Sequence, residues 1–291
     1  MTFVRSHESF RREPVRAFGR LLLWAAITGH RGAAIVTIPL LSVRLWLPAR
    51  WKGAAKLIFA FRERYEPELG FLWNWLQPGM TVLDAGSLYG VYTVTAAMRV
   101  GDSGRVIAME PSREAYAVLT RNIALNNLTN VTLIQLALGL RSGRTLLYHH
   151  RDPGQNSFAW DAASTGVEEV GVTTLDGLLA RLNIQRLDVL KLDVEGAELP
   201  AIQGGAESLR RFCPVIIAEI HPERSRRLGC EPEDFLGYLL AHRYTVFQYS
   251  PTSRKLRTIK TIAELQGPRV VATTGEATQR LTQEALRLWT S

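Results

Sequence analysis

The sequence has few cysteines and no long uninterrupted apolar run. Its 291 residues include two cysteines, Cys213 and Cys230, too few for the disulfide framework of a small secreted domain. The apolar stretch 21–48 is interrupted by His30 and Arg31, so no segment approaches the roughly 20 apolar residues of a transmembrane helix. We therefore expect a cytoplasmic globular protein with two reduced thiols.

Several nucleotide-binding and hydrolase motifs are also missing. The chain has no Gly-x-Gly-x-x-Gly turn, no phosphate-binding loop, no zinc-protease helix motif and no Gly-x-Ser-x-Gly elbow. A dinucleotide-dependent dehydrogenase needs the first of these to seat a pyrophosphate at a helix N-terminus. An α/β serine hydrolase needs the last. These absences disfavour both enzyme classes, and P-loop and zinc-protease chemistry with them.

Basic residues are concentrated near the N-terminal end. Residues 1–65 hold twelve Lys/Arg against three Glu, a net charge of +9, whereas the remainder holds 23 basic and 24 acidic residues, a net charge of −1. Within 1–30 the apolar residues have helical spacing, which suits contact with an anionic membrane as well as packing on the rest of the chain. We predict a basic extension over 1–64, with peripheral membrane contact through 1–48 left open.

Two further patterns precede the main domain. Residues 41–47 alternate in polarity and end at Pro48, which predicts a short strand. Residues 54–75 have helical spacing that Pro67 divides in two. The main domain is expected over 65–275 and a helical tail over 276–291.

From residue 80 onward, short apolar runs alternate with helical stretches. The runs are rich in Val, Ile and Leu, as buried parallel strands are. They lie at 81–85, 105–110, 131–138, 188–193 and 214–220. The helical stretches between and after them are 91–100, 112–126, 198–212 and 232–243. Two late runs, 245–250 and 269–272, predict antiparallel edge strands. The pattern predicts an α/β fold with a doubly wound, mostly parallel, seven-stranded sheet.

The first predicted strand runs into a glycine turn. Asp84-Ala-Gly86-Ser-Leu-Tyr-Gly90 leads directly into a helix, at the strand end where ligands of such sheets bind. A carboxylate beside the turn repels a pyrophosphate but can hold an ammonium group. The next strand ends in Glu110, which can accept hydrogen bonds from ribose hydroxyls. Together these positions predict a ligand containing adenosine and a zwitterionic tail, with purely structural roles for both carboxylates as the alternative.

A charged cluster follows the fourth strand and comprises Lys191, Asp193, Glu195 and Glu198. Charge leaving a buried strand costs free energy unless it is paired or bound by a ligand. Lys191 pairing with a carboxylate would be a structural explanation. For a hydroxyl acceptor, a general base adds about 10²–10⁴-fold in rate, and Asp193, Glu195 and His221 are the candidates. Carboxylates with a histidine also leave Mg²⁺ open, although the sequence spacing does not support it.

Five segments resemble the FkbM-type family of class I S-adenosylmethionine-dependent methyltransferases. They are Tyr65-Glu66-Pro67, 82–93, Ala137-Leu-Gly139, 173–176 and, most specifically, 188–198. The resemblance covers about 41–265 and implies a Rossmann-like domain. It also implies O-methylation of a small-molecule or glycan/lipid hydroxyl on a sugar, glycolipid or secondary metabolite. The cofactor-binding residues that it implies are Glu66, Asp84, Gly86, Ser87, Gly90, Glu110 and Ala137.

Two other functions are compatible with parts of the sequence. The basic extension favours a nucleic-acid methyltransferase, but the fourth strand ends in Asp-Val-Glu-Gly rather than the Asn/Asp-Pro-Pro-aromatic motif of amino-directed base methylation. Salt-dependent binding to RNA or DNA would support that function. A catalytically inactive, membrane-associated scaffold with the same fold is the second alternative, since the extension is both basic and apolar.

Overall fold

The computed structural model describes residues 14–38, 41–51, 53–62, 65–250, 255–284 and 287. Residues 1–13, the first part of the predicted amphipathic segment, and residues 288–291 of the predicted tail lie outside the described residues. None of the helices described in these ranges has the length and apolarity needed to cross a membrane.

The N-terminal part of the described chain combines helices with a β-hairpin. Its elements are α1 (Pro14–Arg31), β1 (Ala33–Ile38), β2 (Val43–Pro48), α2 (Ala54–Phe61) and α3 (Pro67–Trp75). The predicted strand before Pro48 is confirmed as β2. Pro67 begins α3 in the first helical turn, where the missing N–H of proline costs no intrahelical hydrogen bond. Strand β1 was not predicted, because a short apolar run does not distinguish helix from strand.

Eight strands form the central sheet within the described part of the chain. Their bounds are β3 (Thr81–Ala85), β4 (Arg105–Met109), β5 (Val131–Ile134), β9 (Val189–Leu192), β10 (Val215–Glu219), β11 (Thr245–Ser250), β12 (Lys255–Ile259) and β13 (Arg269–Thr273). Their order across the sheet is β12-β11-β13-β10-β9-β3-β4-β5. The five strands from β10 to β5 pair in parallel, and β13 pairs antiparallel with β10 and β11.

The predicted count of seven strands is wrong by one. The additional strand is β12, which pairs antiparallel with β11 at the edge of the sheet. Most side chains of β12 are exposed or half-buried, because the strand lies at the edge of the sheet. Its sequence therefore lacks the apolar run that predicts the other strands.

Helices cover both faces of this sheet, as the doubly wound prediction requires. They are α4 (Val91–Val100), α5 (Arg113–Leu125), α6 (Leu175–Arg181), α7 (Glu198–Gln203), α8 (Ala206–Phe212), α9 (Pro222–Arg227), α10 (Pro232–Ala241) and α11 (Gly275–Gln283). Along β4 the buried side chains alternate between two cores: Val106 belongs to one and Ile107 to the other. The sheet therefore separates two apolar cores.

Two predicted elements are each divided in the structure. The run 131–138 forms β5 and a separate short strand, β6 (Ala137–Leu138), which pairs with β8 (Gly166–Thr173). The helical stretch 198–212 is interrupted at Gly204 and Gly205. A Cβ on Gly204 would lie 2.2 Å from the carbonyl oxygen of Gly139. The chain therefore needs glycine at position 204 to approach Gly139, and the first of the two helices ends there.

The predicted lid or hairpin between 145 and 170 is a hairpin. Strand β7 (Gly143–His149) pairs antiparallel with β8 and forms a three-stranded sheet with β6. The connection from 150 to 165 includes a short 3₁₀ turn, Pro153–Gln155. This connection is placed against the end of the central sheet, where its residues line a cavity.

Candidate active site

A cavity of about 650 Å³, including its open mouth, lies at the carboxyl ends of β3, β4 and β9. Its lining includes Gly86, Glu110, Ala137, Ser157, Asp193 and Glu195. The cavity is thus at the position that the rule for open parallel sheets predicts for a ligand.

The glycine turn between β3 and α4 forms one wall of the cavity. Gly86 and Gly90 have φ of 79° and 81°, in the left-handed region that glycine adopts without strain. A Cβ on Gly86 would lie 1.9 Å from the carbonyl oxygen of Asp193. The absence of that atom lets the turn approach the end of β9, so two sides of the cavity meet there.

Asp84 lies directly beneath the turn and is 2% exposed. Its Oδ2 accepts a hydrogen bond of 2.5 Å from the Thr93 hydroxyl, whereas its Oδ1 is buried without a hydrogen-bond partner. Ser87 is also buried, and its hydroxyl donates to the Asp84 carbonyl. Burial raises the pKa of Asp84, and the positive charge of Lys191 opposes that shift. The Oδ1 atom is thus a buried acceptor without a hydrogen-bond donor, and Asp84 itself does not line the cavity.

Glu110 follows β4 and contributes a buried carboxylate to the cavity. Its Oε2 accepts the backbone N–H of Leu88 at 3.0 Å and its Oε1 accepts that of Ser112 at 2.9 Å. Each oxygen retains acceptor capacity, because a carboxylate offers about four acceptor positions. Burial raises the pKa of Glu110 to about 7, against the lowering effect of the two backbone donors.

The wall beyond Glu110 is apolar. Met109, Leu136 and Ala137 line it from one side and Leu147 and Phe158 from the other. An apolar slot beside a carboxylate at the end of the second parallel strand suits a flat heterocycle attached to a sugar diol. Ala137 lies in this apolar part of the lining, and its contact with an adenine, which the resemblance implies, stays a prediction.

Besides Asp84, three predicted cofactor residues do not line the cavity. Ser87 and Gly90 shape the glycine turn from behind, since Ser87 is bonded to Asp84 and Gly90 caps the N-terminus of α4. Glu66 lies in a buried polar network: its Oε2 accepts from the Tyr92 hydroxyl at 2.5 Å and its Oε1 pairs with Arg269 at 2.7 Å. Direct cofactor contact by Glu66 stays a prediction.

Two members of the charged cluster after β9 line the same cavity, Asp193 and Glu195, whereas Lys191 and Glu198 are buried and do not line it. Lys191 is 4% exposed, its ammonium lies 3.0 Å from Asp193 Oδ2, and it lies over the Tyr92 ring at 4.5 Å. Burial lowers the pKa of Lys191, but the charges of Asp193 and Asp84 outweigh it and the net shift is upward. The pairing that sequence analysis gave as a structural explanation for Lys191 therefore exists, while Asp193 also borders the cavity.

Glu195 and His221 meet at the outer side of the cluster. His221 Nε2 lies 3.2 Å from Glu195 Oε2 and 3.3 Å from Glu219 Oε1. Arg224 contacts the same Glu195 oxygen. Burial lowers the pKa of His221, but the nearby carboxylates of Glu219, Asp193 and Glu198 raise it by more than burial lowers it. The net shift of the pKa is therefore upward.

Glu219 and Arg269 are parts of this site that sequence analysis missed. Arg269 Nη2 lies 2.6 Å from Glu219 Oε2 and 2.7 Å from Glu66 Oε1, so one guanidinium joins two carboxylates. Glu219 ends β10 two residues before His221, and its polarity at a strand end was a usable signal. Arg269 is 203 residues from Glu66 in sequence, and no local pattern indicates the pairing.

The loop 150–165 was expected only as a lid or hairpin, and its site residues were also missed. The Ser157 hydroxyl donates to the Glu195 carbonyl at 3.0 Å, and Asn156 and Phe158 border the cavity beside it. His150 pairs with Asp161 within the loop at 2.9 Å. The loop is thereby attached to the charged cluster and covers one side of the cavity.

The residues Asp193, Glu219 and His221 are the described group with a spacing suitable for a metal ion, their donor atoms lying within 4.8 Å of one another. Each carboxylate, however, already contacts a cation: Asp193 contacts Lys191 and Glu219 contacts Arg269. These buried cations offset the negative charge that would attract Mg²⁺. The fit to a metal is therefore poorer than the fit to a hydrogen-bonding network.

A family model described as the methyltransferase FkbM domain matches residues 84–246. This match covers more than half of the chain and includes both the glycine turn and the charged cluster. The chain belongs to the FkbM methyltransferase family. The predicted α/β fold with a doubly wound, mostly parallel sheet is confirmed by the strand order of the central sheet.

Two curated relatives of this FkbM-family chain are fungal. It is 28% identical over 154 residues to methyltransferase sdnD of Sordaria araneosa, covering 42% of this chain and 59% of that protein. It is 27% identical over 143 residues to methyltransferase 1 of Beauveria bassiana (strain ARSEF 2860), covering 42% of this chain and 57% of that protein. The match thus spans less than two thirds of the length of these relatives.

Two solved methyltransferase structures also match this chain, at TM-scores below 0.5. The methyltransferase FkbM of Methylobacillus flagellatus KT has a TM-score of 0.46 at 16% identity, covering 91% of this chain and 60% of that chain. An O-methyltransferase of Bacillus cereus, solved in complex with SAH, has a TM-score of 0.44 at 15% identity, covering 89% of this chain and 100% of that chain.

Proposed function

We propose that this FkbM-family protein transfers the methyl group of S-adenosylmethionine to a hydroxyl oxygen of a small molecule, sugar or glycolipid. The observation that carries the proposal is one cavity bordered by a glycine turn and Glu110 on one side and by Asp193 and Glu195 on the other. The first side has the chemistry of an adenosine site. The second, which carries two carboxylates, has the chemistry of a site for a hydroxyl that donates a hydrogen bond.

S-adenosylmethionine supplies, when bound, a methyl group activated by its positively charged sulfur. Glu110 accepts the ribose hydroxyls, while Ala137 and its apolar neighbours bind the adenine. The Gly86 turn would hold the amino-acid tail, and the unpaired oxygen of Asp84 beneath the turn would attract its ammonium. Ser87 and Gly90 act by shaping the turn. Glu66 acts through Arg269 and Tyr92 rather than by direct contact with the cofactor.

The acceptor hydroxyl binds near Asp193, and His221 takes its proton. Of the three predicted catalytic residues, His221 is the one with a neutral basic form, whereas Asp193 and Glu195 are anions paired with Lys191 and Arg224. Glu219 and Glu195 flank the imidazole and stabilise it once protonated. Orientation of the acceptor supplies most of the rate, with effective molarities worth on the order of 7–11 kcal/mol, and proton transfer to His221 adds about 10²–10⁴-fold.

An acceptor screen tests the reaction. Purified protein is incubated with S-adenosylmethionine labelled at the methyl carbon and with pools of hydroxylated acceptors, and label is followed into product. We expect label on oxygen, a loss of turnover of about 10²-fold or more in His221→Asn, and cofactor affinity within a factor of two of the parent. Label found on nitrogen or carbon, or full turnover by His221→Asn, would contradict the proposed chemistry.

The same screen addresses the alternative substrates and the metal. Transfer of label to RNA or DNA would favour a nucleic-acid methyltransferase, which the basic extension suggests. Because Lys191 and Arg269 already pair with the carboxylates, we expect turnover to be unchanged after treatment with EDTA. Loss of turnover restored by Mg²⁺ would assign the Asp193, Glu219 and His221 group to a metal.

A further inference from the structure

The outward face of α1 is apolar along most of its length. Val15, Phe18 and Leu22 are 83%, 50% and 58% exposed, and their spacing of three and four residues places them on one side of a helix. Ala26 continues this row, and Leu23 beside it is also exposed. We call Val15, Phe18, Leu22, Leu23 and Ala26 the α1 outer face.

The opposite side of α1 fixes the helix in place. Ala17 and Trp24 are buried, and the Trp24 ring lies 5.3 Å from the Phe59 ring of α2. Arg20 donates a hydrogen bond of 3.0 Å to the Ala60 carbonyl. Since this side already packs on the protein, the apolar outer face is a second, separate surface of the same helix.

Exposed apolar side chains are concentrated at this end of the molecule. Eleven large hydrophobic side chains are exposed among the described residues, and five of them are Val15, Phe18, Leu22, Leu23 and Ile35. Single exposed apolar residues are ordinary, whereas a contiguous group of them marks an interaction surface. The α1 outer face is such a group.

The charge of this part of the sequence indicates the kind of partner. Between Glu13 and Glu63 the chain contains eight Lys/Arg and no Asp or Glu. A second copy of the chain would bring two such positive segments together, and a nucleic acid would leave the apolar side chains without a partner. An anionic lipid surface satisfies both features, because acyl chains accept the apolar face and lipid phosphates attract the basic residues.

We propose that α1 docks on an anionic lipid bilayer with its outer face turned into the interface. The helix has 18 residues and so extends about 27 Å at 1.5 Å per residue, which is suited to lying along the surface. This proposal does not depend on the transfer reaction. It gives a location for the active site, close to a membrane, whatever the acceptor is.

Co-sedimentation of the full chain with sucrose-loaded vesicles tests the proposal. Vesicles of phosphatidylcholine alone are compared with vesicles containing 30% phosphatidylglycerol, at low and at high salt. We expect binding to the anionic vesicles that is at least tenfold stronger than to the neutral ones and that weakens as salt is raised. The double variant Phe18→Ser/Leu22→Ser is expected to lose at least tenfold in vesicle affinity.

A matched control removes exposed apolar side chains from other helices. Met98 and Leu240 are 38% and 41% exposed, and Met98→Ser/Leu240→Ser should bind vesicles as the parent does. Cofactor binding is measured in both variants, which separates this test from the test of methyl transfer. Equal binding to neutral and anionic vesicles, or equal loss in both variants, would overturn the proposal. A dimer in solution that Phe18→Ser/Leu22→Ser dissociates would overturn it in favour of a second copy of the chain.

Discussion

Leu88 shows how the site constrains single residues. It has a φ of 49° in the glycine turn, a conformation that costs a non-glycine residue roughly 1–2 kcal/mol. In this conformation its N–H donates to Glu110 Oε2 at 3.0 Å. The turn and the carboxylate are therefore one unit, and backbone strain is retained where it orients a functional group.

Gly86 offers a test of the close approach between the turn and β9. In Gly86→Ala the new Cβ meets the Asp193 carbonyl, whereas in Gly79→Ala, at a similar φ of 84°, the nearest atom is Ser103 Oγ at 3.7 Å. We expect Gly79→Ala to cost about 1–2 kcal/mol of stability through its φ alone. Gly86→Ala should cost about 1–3 kcal/mol more and weaken cofactor binding at least tenfold. Urea unfolding and calorimetry measure the two effects, and equal losses in both variants would refute the clash.

Glu110 predicts a pH dependence of cofactor binding. Its pKa in the free protein is raised to about 7, so at lower pH it is protonated and must lose a proton to accept two ribose hydroxyls. Affinity for S-adenosylmethionine should therefore rise with pH, up to about tenfold per unit below pH 7, and level off above it. Calorimetry from pH 6 to 8 measures this dependence. The same slope in Glu110→Gln would assign the titration to another group.

The contribution of Glu110 to the stability of the ligand-free protein depends on pH in the opposite direction to cofactor affinity. The pKa is raised from 4.5 in the unfolded chain to about 7 in the fold, so the folded state binds more protons between these values. The contribution of Glu110 to stability is thus greatest below pH 4.5 and is lost as pH rises through 7. Bound cofactor offsets this loss, since its hydroxyls hydrogen-bond the charged form.

Elements with a clear apolar period were those predicted correctly. The parallel strands β3, β4 and β9 were predicted within one or two residues, because strands buried on both faces appear as continuous apolar runs. Strand β12 was missed because it lies at an exposed edge, and the break between α7 and α8 because it depends on the distant Gly139. Long-range contacts of this kind leave no local period in the sequence.

Asn122 connects the N-terminal hairpin to the methyltransferase core. Its side chain accepts from the Trp46 N–H at 2.7 Å and donates to the carbonyls of Trp46 and Tyr89. We expect Asn122→Ala to destabilise the protein by about 2–4 kcal/mol, since it leaves buried backbone groups unpaired. Thr120→Ala, at an exposed position of the same helix α5, should change stability by less than about 0.5 kcal/mol. Chemical denaturation compares them, and a small loss for Asn122→Ala would show that the hairpin is held by apolar packing alone.

At the scale of the whole molecule, the site combines parts that are far apart in the chain. Arg269 of the late strand β13 pairs with Glu66 before α3 and with Glu219 of β10. The glycine turn, Glu110 and the charged cluster could be predicted from strand ends and motif spacing. The pairing through Arg269 could not, because it depends on β13 lying beside β10 in the sheet.

This network predicts the titration of His221. Glu219 stabilises the protonated imidazole, so the pKa of His221 should lie above the ordinary 6.5. Glu219→Gln removes that charge and should lower the pKa, whereas Glu233→Gln, on the exposed first turn of α10, should leave it unchanged. Titration of the imidazole by NMR measures the shift. A His221 pKa that does not fall in Glu219→Gln would remove Glu219 from the proposed proton transfer.

The binding of S-adenosylmethionine is the central claim and is tested most directly by calorimetry. The purified chain is titrated with S-adenosylmethionine, with its demethylated product and with NAD, and Glu110→Ala is titrated in parallel. We expect saturable binding of the first two ligands, none of NAD, and an affinity reduced at least tenfold in Glu110→Ala. Folded protein that binds neither S-adenosylmethionine nor its product would contradict the account and favour a scaffold that retains the fold without the reaction.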